Sequence, residues 1–304
     1  MARESRALPA LLFLALCFFS PFPALADPVP GPGKGDLTLP QGGLRLLLVP
    51  EKSPVRGLTL EGRKIPFFPF REDEKSGGAV RFRAALVGVD FARTPGLLPL
   101  ELRLADGRRE RRLLRVTSRS FQVSRLVVAR SFVTPPAALL RRLARERKVI
   151  KAALSPPDTP LRFHRPFILP LEGRVTHDFG AYRYLNGRPM ARHSGEDIDV
   201  PQGTPVRAAN DGLVRLSGSF YYDGNMVILD HGGELLTEYL HMADILVRPG
   251  ERVRRGQVIG HVGHTGRVTG PVLHYGAVLH GAHVNPMLLT GLLSQGVSLV
   301  GSGR

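Results

Sequence analysis

Cysteine and tryptophan are almost missing from this 304-residue chain, which has one cysteine, Cys17, and no tryptophan. Cys17 lies within the first thirty residues, so the rest of the chain can form no disulfide, thiol nucleophile or cysteine metal site. Long apolar runs are also scarce. The run from Ala10 to Phe19 is too short for a good membrane-spanning helix. Arg3 and Arg6 precede it, and Ala24-Leu25-Ala26 ends just before Asp27, which together make the three parts of a secretory signal peptide over residues 1–26. Leu16, rather than a small residue, precedes Cys17 and argues against lipid attachment there. The expectation is an exported protein of the periplasm or cell envelope, held together by its core alone.

Acidic residues are the other shortage. Asp and Glu number 26 against 42 Lys and Arg, a formal net charge of +16. Between Arg108 and Lys151 there are 14 basic residues and 2 acidic ones, so most of the excess lies in one middle stretch. Without tryptophan there is no aromatic-rich stacking surface beside this charge, and an exported protein rarely meets nucleic acid. Anionic envelope polymers or lipid headgroups are the more natural partners, and a solvated basic face with no specific partner is the plainer reading.

What is present is mostly strand pattern. After a Pro/Gly-rich leader, residues 27–35, Val80 to Ala84 and Leu100 to Leu104 alternate with period two, and Asp106-Gly107 supplies a turn before a returning strand, Leu113 to Val116. This predicts an antiparallel β-sandwich over residues 36–132. Leu139, Leu140, Leu143, Ile150 and Leu154 then share a helical face opposite basic residues, between Pro135-Pro136 and Pro156-Pro157, predicting a basic connecting helix within residues 133–160. Residues 161–290 return to short Gly-bounded strands: Pro205 to Ala209, Gly212 to Leu216, Asn225 to Asp230, Leu235 to Leu240, Arg252 to Val262 and Val272 to Leu279. Residues 291–304 form a tail without a readable pattern. The class is mainly β, in two sheet-built halves joined by a helix.

His193 and Asp197 by themselves say little, since such a pair on a helix is more often an ion pair. Gly195 between them and Pro201-Gln202-Gly203 after them favour a loop entering a strand. Taken with Gly203-Thr204-Pro205-Val206, Asn225 to Gly232, Thr237-Glu238-Tyr239-Leu240-His241, Gly256 to Gly260 and Thr265 to Pro271, however, residues 175–286 resemble the catalytic domain of the LytM-type, lysostaphin-like zinc metallopeptidases that cut peptide bonds in bacterial peptidoglycan. The upstream half, including Gly88-Val89-Asp90, also resembles an N-terminal module of some bacterial members. The resemblance implies a LytM-type antiparallel sheet, Zn2+ held by His193, Asp197 and His274, His241 as an active-site histidine, and peptidoglycan as the substrate. Two imidazoles and a carboxylate are a donor set that suits zinc and leaves it able to activate water.

One position departs from that pattern. The family carries His-x-His where this chain has Val272-Leu273-His274, and residues two apart on a strand share a side, so Val272 is expected to face the metal in place of an imidazole. Loss of one general acid or base removes about 10²- to 10⁴-fold of rate. The expected function is a zinc metalloendopeptidase, slowed by Val272. The alternatives are an inactive module that keeps its metal and binds peptidoglycan or regulates other murein hydrolases, and an envelope adaptor in which metal only staples the fold. His231, Tyr221, Tyr222 and His264 are candidate groove residues, each with a plain structural alternative, and the loops at residues 180–192 and 216–225 are expected to set specificity.

Overall fold

The computed structural model describes residues 37–72, 80–155, 159–293 and 297–298. The signal segment and the leader lie outside them. The upstream half contains strands β1 (Leu37–Pro40), β2 (Leu44–Pro50), β3 (Val55–Leu60), β4 (Arg63–Ile65), β5 (Phe68–Glu72), β6 (Val80–Gly88), β7 (Gly96–Leu104) and β8 (Arg109–Thr117). One sheet runs β1-β8-β7-β3-β4. The other runs β2-β6-β5 and is extended beside β2 by a two-residue strand, Val297–Ser298, from the tail. The pairings are antiparallel except β1 with β8 and β2 with the tail strand. The hairpin expected around Asp106-Gly107 is β7–β8, with Gly107 in the left-handed region.

The leucine-rich run in β2 explains how this half is mounted. Leu46 and Leu48 join a core made mainly with the downstream half, while Leu47 and Val49 join the core between the two upstream sheets. A strand apolar on both faces is buried on both, and β2 forms a layer between two cores. Gly88 marks the close approach, since a Cβ there would lie 2.9 Å from Val284 and 3.0 Å from Leu279.

After Thr117 the chain leaves the sandwich earlier than its pattern suggested. Strand β9 (Val123–Leu126) runs parallel to β11 (Tyr182–Leu185) of the downstream half. Helix α1 (Ala137–Ala153) follows. Its inward stripe is Leu143, Glu146, Ile150 and Ala153, and Leu140, expected on that stripe, is 54% exposed. Glu146 accepts a hydrogen bond from the Tyr221 amide, and Arg215 caps the helix by donating to the Ala153 carbonyl at 2.8 Å. A cation at a helix C-terminus stabilises the exposed carbonyls and the dipole there.

The downstream half also holds β10 (Arg174–His177), β12 (Arg188–Pro189), β13 (Gly195–Asp199), β14 (Pro205–Arg207), β15 (Gly212–Phe220), β16 (Gly224–Asp230), β17 (Leu235–Ile245), β18 (Arg252–Val253), β19 (Val258–Val262), β20 (Leu273–Leu279) and β21 (Ala282–Val284). Its main sheet runs β10-β13-β20-β17-β16-β15-β18, antiparallel throughout. The strand expected over Arg252 to Val262 is two strands, divided by a turn that places Gly256 in the left-handed region. No helix among the described residues is long and apolar enough to cross a membrane.

Candidate metal centre and cleft

Strands β13 and β20 lie side by side with Asp197 opposite His274, so cross-strand register alone brings a carboxylate and an imidazole onto one face. His193 enters from the turn before β13, where its backbone is paired with Ala181 and Gly180. Gly195 keeps the space between them open, because a Cβ there would lie 2.6 Å from His274 Nε2 and 2.4 Å from the Tyr275 carbonyl. His193 Nε2, Asp197 Oδ1 and His274 Nδ1 meet at a mutual 2.9 Å, and all three residues are buried.

Those contacts are not an ordinary hydrogen-bond network. His193 Nδ1 faces the Asp178 carbonyl at 3.1 Å, which places the proton of the neutral ring on Nδ1. Nε2 then directs a lone pair at a carboxylate oxygen 2.9 Å away. Two facing lone pairs in a buried site repel unless a cation lies between them. Donors around tetrahedral zinc, with bonds of about 2.0 Å, lie about 3.3 Å apart, close to this triangle. Burial lowers the pKa of His193 and brings that of His274 down to about 4. Burial opposes ionisation of Asp197, but His193 and His274 outweigh it and hold the carboxyl well below its usual range. Neutral imidazoles and an ionised carboxylate are the forms that bind a metal.

The second carboxylate oxygen is held separately. Arg183, on β11, donates from Nη2 to Asp197 Oδ2, and His177, opposite Asp197 on β10, brings Nδ1 within 3.6 Å of the same atom. Neither residue was legible as a site residue. Arg183 sits in a short Tyr-Arg-Tyr-Leu strand, and His177 reaches Asp197 only through pairing across strands. His241, from β17, takes a left-handed φ of 66° and its Nδ1 faces the Thr265 carbonyl at 2.9 Å. That bond leaves Nε2 as the free lone pair, and burial takes the pKa down to about 4. Its ring lies 6.2 Å from that of His274, edge to face.

Two cavities flank the triangle. One, about 170 Å³, is lined by Arg183, His193, Tyr222, Asp223, His241 and Arg267, among others. The second, about 270 Å³, is lined by Leu126, His177, Asp197, Arg267 and Val272. Val272 therefore stands in the cleft beside Asp197, just outside β20, with its amide paired to the Gly263 carbonyl. Of the groove candidates, Tyr222 lines the first cavity. The others lie apart from both. Tyr221 packs on Phe132 and its hydroxyl faces the Ser131 carbonyl. His264 is exposed and paired with Gln202. His231 is fully buried between the Asp211 carbonyl and Thr237 at 2.8 Å each, against Phe167, which is a structural role and not a groove role. Arg267 was not foreseen either, because nothing in Thr265-Gly266-Arg267 marks it apart from its neighbours.

Comparison with known proteins agrees with this geometry. Residues 191–286 match peptidase family M23. Peptidoglycan DD-endopeptidase ShyA of Vibrio cholerae is 48% identical over 98 residues, covering 32% of this chain and 23% of that protein. DD-carboxypeptidase/endopeptidase Mpg of Neisseria meningitidis is 41% identical over 114 residues, 38% of this chain and 26% of that protein. The chain thus spans about a quarter of the length of these curated relatives. A crystal structure from Pseudomonas aeruginosa assigned to peptidase M23 superposes with a TM-score of 0.63 at 28% identity, covering 85% of this chain and 96% of that one. The downstream half of the chain therefore carries a peptidase family M23 domain.

Proposed function

We propose that the protein is a zinc metalloendopeptidase acting on the peptides of peptidoglycan. The observation that carries this reading is the buried triangle of His193, Asp197 and His274 with a cleft open on either side of it. The two curated relatives named above, both endopeptidases by name, support the substrate class. A zinc ion held by the three donors supplies Lewis acidity for hydrolysis of an amide. Arg183 fixes the orientation of Asp197 through Oδ2 and leaves Oδ1 for the metal. His241, anchored through Nδ1, has Nε2 free to take up a proton from the attacking water and return it to the leaving amine. Val272 offers no second proton carrier, so turnover rests on His241 and is slow.

Residues 1–26 support export to the periplasm or cell envelope, and the basic face of α1, with Arg141, Arg145 and Lys148 exposed, supports contact with anionic envelope polymer or lipid headgroups. The apolar Val272 in the cleft favours one second reading, a module that binds peptidoglycan or a partner hydrolase without cutting. Digestion of purified murein by the wild type and by Val272→His separates the two, with zinc content as the control. The expected outcome is stoichiometric zinc, lost in His193→Ala, slow cleavage by the wild type, and a rate higher by on the order of 10² in Val272→His. Zinc without cleavage by either form would establish the non-catalytic reading.

A further inference from the structure

Arg267 lines the cleft with no carboxylate paired to it among the described residues. It lines both cavities, as Arg183 and Leu185 also do, and so stands where the groove passes the metal triangle. Its amide donates to the Tyr222 carbonyl at 2.8 Å, and its guanidinium lies over the Tyr222 ring, 4.6 Å from the centroid. Stacking fixes the plane of a guanidinium and leaves the donors on its edge free for a planar anion. Among the described residues, no carboxylate stands within ion-pairing distance of it. Asp197 is taken by Arg183, and Asp199 by Arg174 at 3.4 Å. Asp223, which lines the first cavity, acts on Arg267 only through space and has its own ionisation disfavoured by burial. Arg183 adds a second positive charge that repels the first.

A partly buried, immobilised cation in a groove is stabilised by a ligand that brings the opposite charge. A neutral amide carbonyl would answer one donor and leave the charge. A carboxylate would answer both edge donors and the charge together. We infer that Arg267 is a carboxylate-binding subsite, and that the peptide this cleft selects carries a free carboxylate close to the amide presented to the metal. The inference rests on the peptidase reading for the identity of the ligand as a peptide. The carboxylate can be the C-terminal one or that of an acidic side chain.

The test uses the zinc-loaded full chain and a synthetic cross-linked stem-peptide dimer in three forms: all carboxylates free, the C-terminal carboxylate amidated, and the side-chain carboxylate amidated. Dissociation constants from titration calorimetry read the subsite without turnover, and KM and kcat are measured beside them. The wild type is expected to bind the free form at least about tenfold more tightly than one amidated form, and the form it rejects identifies the source. Arg267→Gln is expected to weaken binding of the free form by a similar factor and to erase the difference, with Arg267→Lys between. Zinc content of each variant reports folding, and the wild-type comparison stands without any variant. Equal binding of the three forms by the wild type, or discrimination that survives Arg267→Gln, overturns the subsite. Discrimination without cleavage retains the subsite and removes the hydrolase, whereas cleavage without discrimination does the reverse. No measurable binding of the free form overturns both.

Discussion

Asp197 divides its two oxygens between tasks, Oδ1 to the imidazoles and Oδ2 to Arg183. This division leaves one oxygen of a buried carboxylate for the proposed metal while the other fixes its orientation. Glu238 is the opposite case. It is buried on β17, its Oε2 has no hydrogen-bond partner, and burial, aided by Asp223, pushes its pKa up to about 8. The folded state thus keeps a proton that the unfolded chain releases near 4.5. The contribution of Glu238 to stability falls as pH rises from about 4.5 to about 8, because at this group the folded state binds more protons across that window. Glu238→Gln, which keeps the shape and removes the charge, is expected to leave stability nearly unchanged at the acid end and to raise it by on the order of 4 kcal/mol at the alkaline end. Urea unfolding of both proteins at the two ends of the window measures this, and equal stabilities at the alkaline end would show that Glu238 ionises freely in the fold.

At the scale of elements, the site depends on how closely β13 and β20 pair. Gly195 is where that pairing has no room for a side chain, with backbone of Tyr275 on one side and the ring of His274 on the other. The strand cannot yield toward Tyr275 without breaking its ladder, so the ring of His274 must move. Gly195→Ala is expected to weaken zinc binding by about 10- to 100-fold, the range seen when the groups orienting a ligand are disturbed. Competition against a chelator of known affinity reads it directly, and an unchanged zinc affinity would mean that the ring has slack. Helix α1 is a looser element. Ala153 is its one buried residue, and its polar ties, through Glu146 and Arg215, run to Tyr221 and to β15 just before it, next to Tyr222 in the cleft wall.

Over the whole molecule, β2 joins the two halves by contributing alternate leucines to two cores. Leu46 is fully buried on the side shared with the M23 domain, among residues such as Leu86, Leu235 and Leu279. Truncation there leaves a cavity in a core to which both halves contribute. Leu46→Ala is expected to destabilise the protein by about 2–5 kcal/mol and to lower one common transition. Calorimetry distinguishes this from independent halves, in which a second transition, belonging to the M23 domain, would stay where it is in the wild type.

Much of this was legible in the chain itself. Period-two alternation and turn residues marked the hairpin at Asp106-Gly107, and paired prolines bounded the helix, because such patterns depend on neighbours a few residues apart. The candidate metal triangle of His193, Asp197 and His274 was readable too, through a run of local motifs that resemble a known family. Which side of α1 packs, and hence the exposure of Leu140, was not readable, because apolar residues on both flanks of the stripe satisfied the same helical period. Nor was the departure of the chain from the sandwich after Thr117, since β9 is paired by β11, nearly sixty residues further on. Arg183, His177 and Arg267 became site residues only in the tertiary structure, for the same physical reason. Local sequence governs backbone propensity and the side a residue faces, whereas the company a charged side chain keeps is decided by strand register and by loops that meet across the sheet.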